Sequence, residues 1–250
     1  MNQNRKIDFE QFSAVLFDLD GVLTATAKLH AICWKQMFDN YLQQKFLSTG
    51  VAFQPFDIDL DYRHYVDGKL RYEGVKSFLQ SRGIELPYGS PENDPEEETV
   101  CGLGNRKNQL VGEMLAAGHV GVFEGSIKLV HYLREKKIRM AVVSASKNCE
   151  AILNAAGIAE LFEERIDGKV AETYGLPGKP EPATFLKAAE LLAVEPQKSV
   201  VIEDAIAGVQ AGKKGGFGLV IGVDRHDDAA ALRENGADLV VSDLSELLPQ

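Results

Sequence analysis

Short apolar runs recur along this chain, and most of them are followed by an amphipathic stretch. Each run is four to six residues long and rich in Val, Ile or Leu, as expected of strands covered on both faces. The runs lie at residues 14–17, 138–143, 199–202, 218–221 and 238–241. Strands that alternate with helices predict an α/β fold built on a doubly wound parallel sheet.

The stretches between these runs have helical spacing. In residues 126–137, Ile127, Val130 and Leu133 fall three positions apart, on one face of a helix. Further helices are predicted over residues 148–156, 182–193 and 205–214.

Residues from about 30 to 120 interrupt the alternation of strands and helices. Three helices are predicted there, one beginning near residue 29 and the others over 73–81 and 105–117. Between the last two, residues 85–99 contain three prolines and many acidic side chains, which predicts an exposed loop. We therefore expect residues 1–28 and 121–250 to form a Rossmann-like α/β core, and residues 29–120 to form an inserted α-helical cap domain.

The chain is acidic, with 27 Lys and Arg against 37 Asp and Glu among its 250 residues. This balance argues against nucleic acid and anionic membranes as partners, since both attract clustered basic residues. The scattered Cys33, Cys101 and Cys149 are typical of reduced thiols in a cytoplasmic protein. Residues 1–11 are polar and no apolar run could span a bilayer, so we expect neither a signal peptide nor a membrane helix. Because no stripe of side chains typical of a protein-binding surface stands out in the sequence, we expect a monomer.

Polar residues follow several of the predicted strands. They are Asp18 and Asp20 after the first run, Ser144 after the second, Glu203 and Asp204 after the third, and Lys179 in a further loop. Ligands of open parallel sheets bind beyond the carboxyl ends of the strands, so these side chains are expected to meet. Carboxylates this close repel one another unless a cation lies among them, and oxygen ligands suit Mg²⁺.

Such a cluster could transfer a phosphoryl group. Side chains two residues apart on an extended segment point the same way, so Asp18 and Asp20 can face one phosphoryl group together. One of them would attack, and the other would exchange a proton with the leaving oxygen. Lys179 and the metal would neutralise the repulsion between the attacking carboxylate and the phosphate.

Residues 17–24, with the sequence FDLDGVLT, resemble the first motif of the haloacid dehalogenase-like phosphotransferases. Ser144, Lys179 and the pair Glu203-Asp204 fall where that superfamily has its second, third and fourth motifs. The resemblance implies that Asp18 is the nucleophile that forms an aspartyl phosphate and that Asp20 is the general acid and base. It also implies a phosphate site of Ser144, Ala145 and Lys179, and a Mg²⁺ site of Asp18, the Asp20 backbone carbonyl, Glu203 and Asp204.

A narrower likeness concerns the β-phosphoglucomutase branch of that superfamily. Thr26, His30 and Trp34 follow the first motif at the spacing of that branch, and residues 144–148 resemble its second-motif run. The likeness implies that Thr26 and His30 support the acid/base residue through the cap hinge. It also implies substrate contacts from Lys107 and Asn108 of the cap and from Ser146 and Lys147 of the second-motif run. Arg71, in a part of the cap that departs from the pattern of that branch, is a further candidate for a substrate contact.

The predicted function is Mg²⁺-dependent phosphoryl transfer on a small phosphorylated sugar. Residues 67–74 and the acidic loop make the cap longer than expected for the mutase, so a sugar-phosphate phosphatase stays open as an alternative. A remote alternative is a receiver-like signalling domain, which also accepts a phosphoryl group on an aspartate at a strand end.

Two further patterns resemble binding motifs in part. Asp57, Asp59 and Asp61 resemble the start of a calcium loop, but Gly and Glu are missing where that loop requires them. Their alternation instead predicts a half-exposed extended segment. Gly102 and Gly104 lack the third glycine and the preceding strand of a dinucleotide fingerprint, so no dinucleotide site is expected.

Overall fold

The computed structural model describes residues 7–50, 52–117, 120–225 and 227–249. These residues form two compact units: an α/β unit within residues 1–25 and 120–250, and a helical unit within residues 26–119. Residues 1–6 of the polar amino-terminal segment lie outside the described residues. Every helix in the described part of the chain is too short or too polar to cross a membrane.

The α/β unit contains a sheet in which, among the described residues, six strands run parallel. The strands are β1 (Ala14–Phe17), β2 (Arg139–Val143), β3 (Glu164–Ile166), β4 (Ser199–Glu203), β5 (Leu219–Val223) and β6 (Leu239–Val241). Their order across the sheet is β3-β2-β1-β4-β5-β6, so the chain winds outward in both directions from β1. The predicted doubly wound parallel sheet is confirmed.

The central strand β1 is buried along its whole length. Its Leu16 pairs with Ala141 of β2 and with Val201 of β4. Successive side chains of a strand point to opposite faces, and Leu16 and Phe17 are both fully buried. The sheet is therefore covered on both faces, which explains why its strands are nearly continuous apolar runs.

Nine α-helices are assigned within the described residues. Those of the helical unit are α1 (Ala27–Thr49), α2 (Arg71–Ser81) and α3 (Val100–Ala117). Those of the α/β unit are α4 (Glu124–Glu135), α5 (Cys149–Ala155), α6 (Gly168–Thr173), α7 (Ala183–Leu191), α8 (Ile206–Lys214) and α9 (Ala229–Glu234). A short π-helix, Tyr62–Val66, precedes α2.

The helical unit has its own aromatic core. Trp34 and Phe38 on α1 stack at 5.3 Å between ring centroids, and Phe38 lies 4.1 Å from Phe78 of α2. Phe56, from the segment between these helices, stacks on Phe38 at 5.3 Å. Trp34 and Phe38 lie one helical turn apart on α1, so they form a buried stripe against which the rest of this unit packs.

The helical unit is inserted between two adjacent points of the α/β unit. The Ala25 N–H donates to the Gly121 carbonyl at 2.9 Å, and Thr24 forms an isolated β-bridge with Val122. The chain therefore leaves the α/β unit and returns to it at neighbouring backbone positions.

Several elements differ from the sequence-based expectation. β3 was not predicted because it has three residues, two of them charged, and it pairs with β2 alone. The prediction of an extended segment around Asp57 is wrong, because a turn follows Asp57 and leads directly into a helix. The Asp57 Oδ1 accepts the N–H groups of Asp59 and Leu60, each at 2.8 Å, and so caps that turn.

Helix α3 begins five residues before the predicted start at residue 105. Its first turn contains Gly102, which lowers helix propensity, but the Thr99 Oγ1 accepts the Gly102 N–H at 2.9 Å. The predicted loop over residues 85–99 is confirmed, since this stretch has neither helix nor strand.

Candidate active site

The ends of β1 and β4 bring the first and fourth motifs together. Phe17 pairs with Ile202 in the sheet, and the Asp18 N–H donates to the Ile202 carbonyl at 2.9 Å. Asp18 and Glu203 therefore emerge side by side at the carboxyl edge of adjacent parallel strands. Both side chains are buried.

Lys179 joins three of the central strands at this edge. Its Nζ donates to the Asp18 Oδ1 at 2.5 Å, to the Glu203 Oε1 at 2.5 Å and to the Val143 carbonyl at 3.1 Å. Burial by itself lowers the pKa of the Lys179 ammonium, but the carboxylates of Asp18 and Glu203 outweigh it, and the net shift is upward. Lys179 therefore stays charged in this buried position.

The environment of Asp18 has the opposite balance. Burial raises the pKa of its carboxyl well above the ordinary value, and the nearby Lys179 ammonium opposes this rise. The charges of Glu203 and Asp20 raise the pKa of Asp18 further. Burial, more than any one neighbouring charge, thus sets the upward direction of the Asp18 pKa shift.

Asp18, Glu203 and Asp204 form a cluster suited to a metal ion. One carboxylate oxygen from each lies within 4.8 Å of the other two. Three carboxylates against the one ammonium of Lys179 leave two negative charges, which a divalent cation would balance. An all-carboxylate donor set with a substrate phosphate nearby is the environment that Mg²⁺ prefers, so these residues fit the predicted metal.

Two glycines make room for the carboxylates, and sequence reasoning missed both. Gly21 has a φ of +91°, and a Cβ there would collide with the Asp204 carboxylate. A Cβ at Gly208 on α8 would collide with the Glu203 carboxylate. The positions of these glycines beside motif residues are the sequence signal that could have identified them.

Arg225, in the segment after β5, is a third residue that the sequence did not reveal. Its Nε donates to the Gly21 carbonyl at 2.7 Å, and its guanidinium carbon lies 3.6 Å from the Phe123 ring centroid. Burial lowers the pKa of Arg225, and the charge of Asp204 acts against this. Arg225 therefore holds the backbone directly after Asp20.

The second motif forms a compact turn after β2. Ser144 is buried, and its Oγ accepts the Ser146 N–H at 3.1 Å. A Cβ at Gly168 would lie 2.8 Å from the Ala145 carbonyl oxygen, so this glycine permits the turn to approach α6. The predicted substrate residue Lys147 makes an ion pair with Glu172, with 2.6 Å between Nζ and Oε2.

Asp20 is half-buried and lies in the short loop after β1. It forms a β-bridge with Thr24, while the Gly21 N–H donates to the Thr24 carbonyl at 2.8 Å. Asp20 contributes to the charge around Asp18, so the two predicted catalytic carboxylates are neighbours.

The remaining predicted residues lie in the helical unit, and the structure links them in pairs. The Lys107 Nζ and the His30 Nδ1 are 2.6 Å apart, and both side chains are buried. The Lys107 Nζ also lies 4.8 Å from the Trp34 ring centroid. Thr26 is the residue before α1, and its carbonyl accepts the His30 N–H at 2.9 Å.

Arg71 and Asn108 form the second pair. The Arg71 Nη2 donates to the Asn108 Oδ1 at 2.9 Å. The structure thus brings four of the predicted cap residues into two direct contacts within the helical unit.

Comparisons with known proteins show the family to which this chain belongs. A family model described as haloacid dehalogenase-like hydrolase matches residues 12–216. The chain is 48% identical over 242 residues to a β-phosphoglucomutase of Mycobacterium tuberculosis, covering 96% of this chain and 92% of the relative. It is 27% identical to a phosphorylated carbohydrates phosphatase of Thermotoga maritima, covering 91% of this chain and 93% of the relative.

The crystal structure of a β-phosphoglucomutase from Clostridium difficile is similar with a TM-score of 0.75. The identity is 26%, and the match covers 95% of this chain and 93% of that one. The comparisons thus include a mutase and a phosphatase, both matched over nearly their whole length.

Proposed function

Because this chain belongs to the haloacid dehalogenase-like hydrolase family and is a phosphoryl-transfer enzyme, we propose that it is a Mg²⁺-dependent β-phosphoglucomutase. The observation that carries the phosphoryl-transfer chemistry is Lys179, whose ammonium holds the carboxylates of Asp18 and Glu203, each at 2.5 Å, at the edge of the sheet. The choice of a mutase is supported by the relative that is 48% identical. The proposed substrate is a small sugar phosphate, β-glucose 1-phosphate, and the product is glucose 6-phosphate.

The proposed reaction proceeds through Asp18 and Asp20 in two steps. In the first step, a carboxylate oxygen of Asp18 attacks phosphorus, the bond from phosphorus to the leaving oxygen breaks, and Asp20 gives that oxygen a proton. In the second step, a sugar hydroxyl gives its proton to Asp20 and attacks phosphorus, and the bond from phosphorus to Asp18 breaks. Both carboxyl groups end as they began.

The other residues make this attack of an anion on an anion feasible. Lys179 places a buried positive charge beside the attacking Asp18 oxygen, and Ser144 offers a neutral donor at the end of the neighbouring strand. The Mg²⁺ ion, when bound, supplies a divalent charge that neutralises the phosphoryl oxygens. The residues that would hold it are Asp18, Glu203, Asp204 and the backbone carbonyl of Asp20.

The roles of the other predicted residues form part of this proposal. Thr26 and His30 support the acid/base residue, and the contacts with the sugar phosphate come from Arg71, Lys107, Asn108, Ser146 and Lys147. A cytoplasmic location and a monomeric state stay predictions. Buried cysteine side chains at positions 33, 101 and 149 are compatible with that location.

A sugar-phosphate phosphatase is the second candidate. It is favoured by the long acidic loop over residues 85–99 and by the relative named as a phosphatase of phosphorylated carbohydrates. The two activities share the phosphorylated Asp18 and differ in whether a sugar hydroxyl or water accepts the phosphoryl group.

One assay separates the candidates. β-Glucose 1-phosphate is supplied with Mg²⁺ and a catalytic amount of a glucose bisphosphate, and glucose 6-phosphate and inorganic phosphate are measured together. We expect glucose 6-phosphate to form at least ten times faster than phosphate. Phosphate formation in step with substrate loss would favour the phosphatase, and labelling by a single equivalent without turnover would favour the receiver-like alternative.

The nucleophile can be tested by the substitution Asp18→Asn. An amide does not form the aspartyl phosphate, so we expect kcat to fall by at least about a thousandfold and acid-stable labelling of the protein from radioactive substrate to vanish. Asp238→Asn is the matched control, because Asp238 pairs at 2.9 Å with Lys213 elsewhere in the α/β unit. Activity or labelling retained in Asp18→Asn would contradict the assignment.

A further inference from the structure

Hydrogen bonds among its own polar groups hold the acidic loop over residues 85–99 in shape. The Asn93 Oδ1 accepts the Ser90 N–H at 2.7 Å and the Thr99 hydroxyl at 3.0 Å. The Glu97 carboxylate accepts the Asp94 N–H and the Asn93 amide at 2.8 and 2.7 Å. Much of the polarity that marks this loop in the sequence thus serves its internal structure.

Asn105 connects this loop to Arg71. Its Nδ2 donates to two loop carbonyls, those of Pro91 and Asn93, each at 2.9 Å. Its Oδ1 accepts the Arg71 Nη1 at 3.2 Å and the Tyr72 hydroxyl at 2.9 Å. A side-chain amide has two N–H hydrogens and two acceptor lone pairs, so Asn105 uses its full hydrogen-bonding capacity.

The two glycines at the start of α3 make this arrangement possible. A Cβ at Gly104 would lie 2.7 Å from the Tyr72 ring and 3.1 Å from the Arg71 Cδ. A Cβ at Gly102 would lie 3.0 Å from the Asp94 carbonyl oxygen of the loop and would overlap the Glu97 carbonyl. The pattern that resembled a dinucleotide motif is therefore explained by the close packing of α2 and the loop against α3.

The orientation of Arg71 is set from two positions on α3. Asn105 holds Nη1 and Asn108, one turn later, holds Nη2. Both acceptors are amide oxygens on one helix, so the two hydrogen bonds fix the plane of the guanidinium. A guanidinium held in a fixed plane is well suited to a phosphate group, whose oxygens it can bind in a bidentate manner.

We propose that Asn105 is a positioning residue through which the acidic loop fixes the Arg71 guanidinium for binding of the phosphorylated substrate. This rests on the proposed function, in which Arg71 contacts the sugar phosphate. The loop thus acts on substrate affinity, and the extra length of the helical unit serves recognition of the substrate phosphate.

The experiment compares wild type with Asn105→Ala, Arg71→Ala, the double variant and Arg106→Ala, using kcat and KM for β-glucose 1-phosphate. Arg106 is the matched control, because it follows Asn105 and its Nε donates to the Pro95 carbonyl of the loop at 2.8 Å. Hydrolysis of acetyl phosphate, which has no sugar, gives a reference rate for each variant. Thermal unfolding of each variant checks that it is folded.

We expect Asn105→Ala to raise KM for the sugar phosphate about tenfold, the loss typical of a hydrogen bond to a charged group. The preference for the sugar phosphate over acetyl phosphate should fall by a similar factor. Because Asn105 acts through Arg71, the double variant should be no worse than Arg71→Ala alone, whereas independent effects would multiply. Arg106→Ala should leave KM within about twofold of wild type.

Two results would overturn the inference while leaving the proposed reaction through Asp18 and Asp20 intact. One is an unchanged KM in Asn105→Ala or in Arg71→Ala when the wild-type enzyme turns over the sugar phosphate. The other is a double variant in which the two effects multiply. If wild type shows no turnover of any sugar phosphate, the proposed function fails first, and the inference falls with it.

Discussion

At the scale of single residues, the active site depends on glycines as much as on charged groups. The carboxylate of Asp204 occupies the space where a Cβ of residue 21 would lie, and Gly21 has a φ of +91°. A side chain at this position would both strain the backbone and displace a metal-binding carboxylate. These two effects can be measured separately, because at Gly175 an added side chain would strain the backbone without displacing a neighbouring group.

We predict that Gly21→Ala weakens Mg²⁺ binding at least tenfold, since the added methyl group displaces Asp204. The measurement is the rise in the unfolding temperature with added Mg²⁺, compared with wild type. Gly175→Ala is the control: its φ is +61°, but nothing lies within 4 Å of the added Cβ. Gly175→Ala should lose about 1 kcal/mol of stability and keep the full response to Mg²⁺. An equal response in both variants would show that the crowding of Asp204 is unimportant.

At the scale of elements, short polar side chains cap two helix starts in the helical unit. Thr99 caps α3 through the N–H of Gly102 at 2.9 Å, in a sequence whose glycines disfavour a helix. Asp57 caps the turn that leads into the π-helix in the same way. In both cases a side-chain oxygen accepts backbone N–H groups where the chain changes from loop to helix.

We predict that Thr99→Ala destabilises the protein by about 1 kcal/mol, the usual loss for a removed N-cap. Unfolding in urea, followed by circular dichroism, gives the value. Ser81→Ala serves as the control, because the Ser81 Oγ donates to the Phe78 carbonyl of its own helix at 2.7 Å and does not cap a helix start. Equal losses in the two variants would argue against capping by Thr99.

The cap at Asp57 should depend on pH. The N–H groups of Leu60 and Asp59 lower the pKa of the Asp57 carboxyl below its ordinary value. Because the folded pKa is the lower one, the stabilising contribution of Asp57 is complete above the unfolded pKa of about 4 and is lost as the pH falls through the folded pKa. The NMR shift of the Leu60 amide should therefore titrate with a midpoint below about 4. A midpoint at or above that value would refute the capping role.

At the scale of the whole molecule, each unit has a hydrophobic core of its own. Leu16, Val143 and Val201 belong to the core of the α/β unit, whereas Trp34, Phe38 and Phe78 belong to that of the helical unit. The inserted segment leaves and rejoins the α/β unit where Ala25 and Gly121 are hydrogen-bonded at 2.9 Å. The α/β unit thus has the packing and the chain geometry of an independent domain.

We predict that replacing residues 26–119 by a short Gly-Ser linker leaves a folded α/β unit that still binds Mg²⁺. The carboxylates of the metal cluster all lie in this unit, whereas Arg71 and Lys107 would be lost with the linker exchange. The shortened protein should unfold cooperatively, gain stability with Mg²⁺ and show no measurable mutase activity. A protein that does not fold, or one that keeps mutase activity, would contradict this division of roles.

The sequence by itself determined the α/β class, most of the strands and the group of motif residues at their carboxyl ends. Apolar runs and polar strand ends are local patterns, and the geometry of a parallel sheet brings such ends to one edge. The strand β3 was not predictable, because three residues with two charges carry no apolar pattern.

The tertiary structure alone decided which groups touch. Nothing in the order of the residues indicates that Asn105 binds both the acidic loop and Arg71, or that Gly21 and Gly208 give space to Asp204 and Glu203. Such contacts depend on distances between segments far apart in the chain, and those distances are set when the cores pack. Local patterns report which face of an element is buried, whereas the partner of a polar side chain is fixed only when the whole chain is folded.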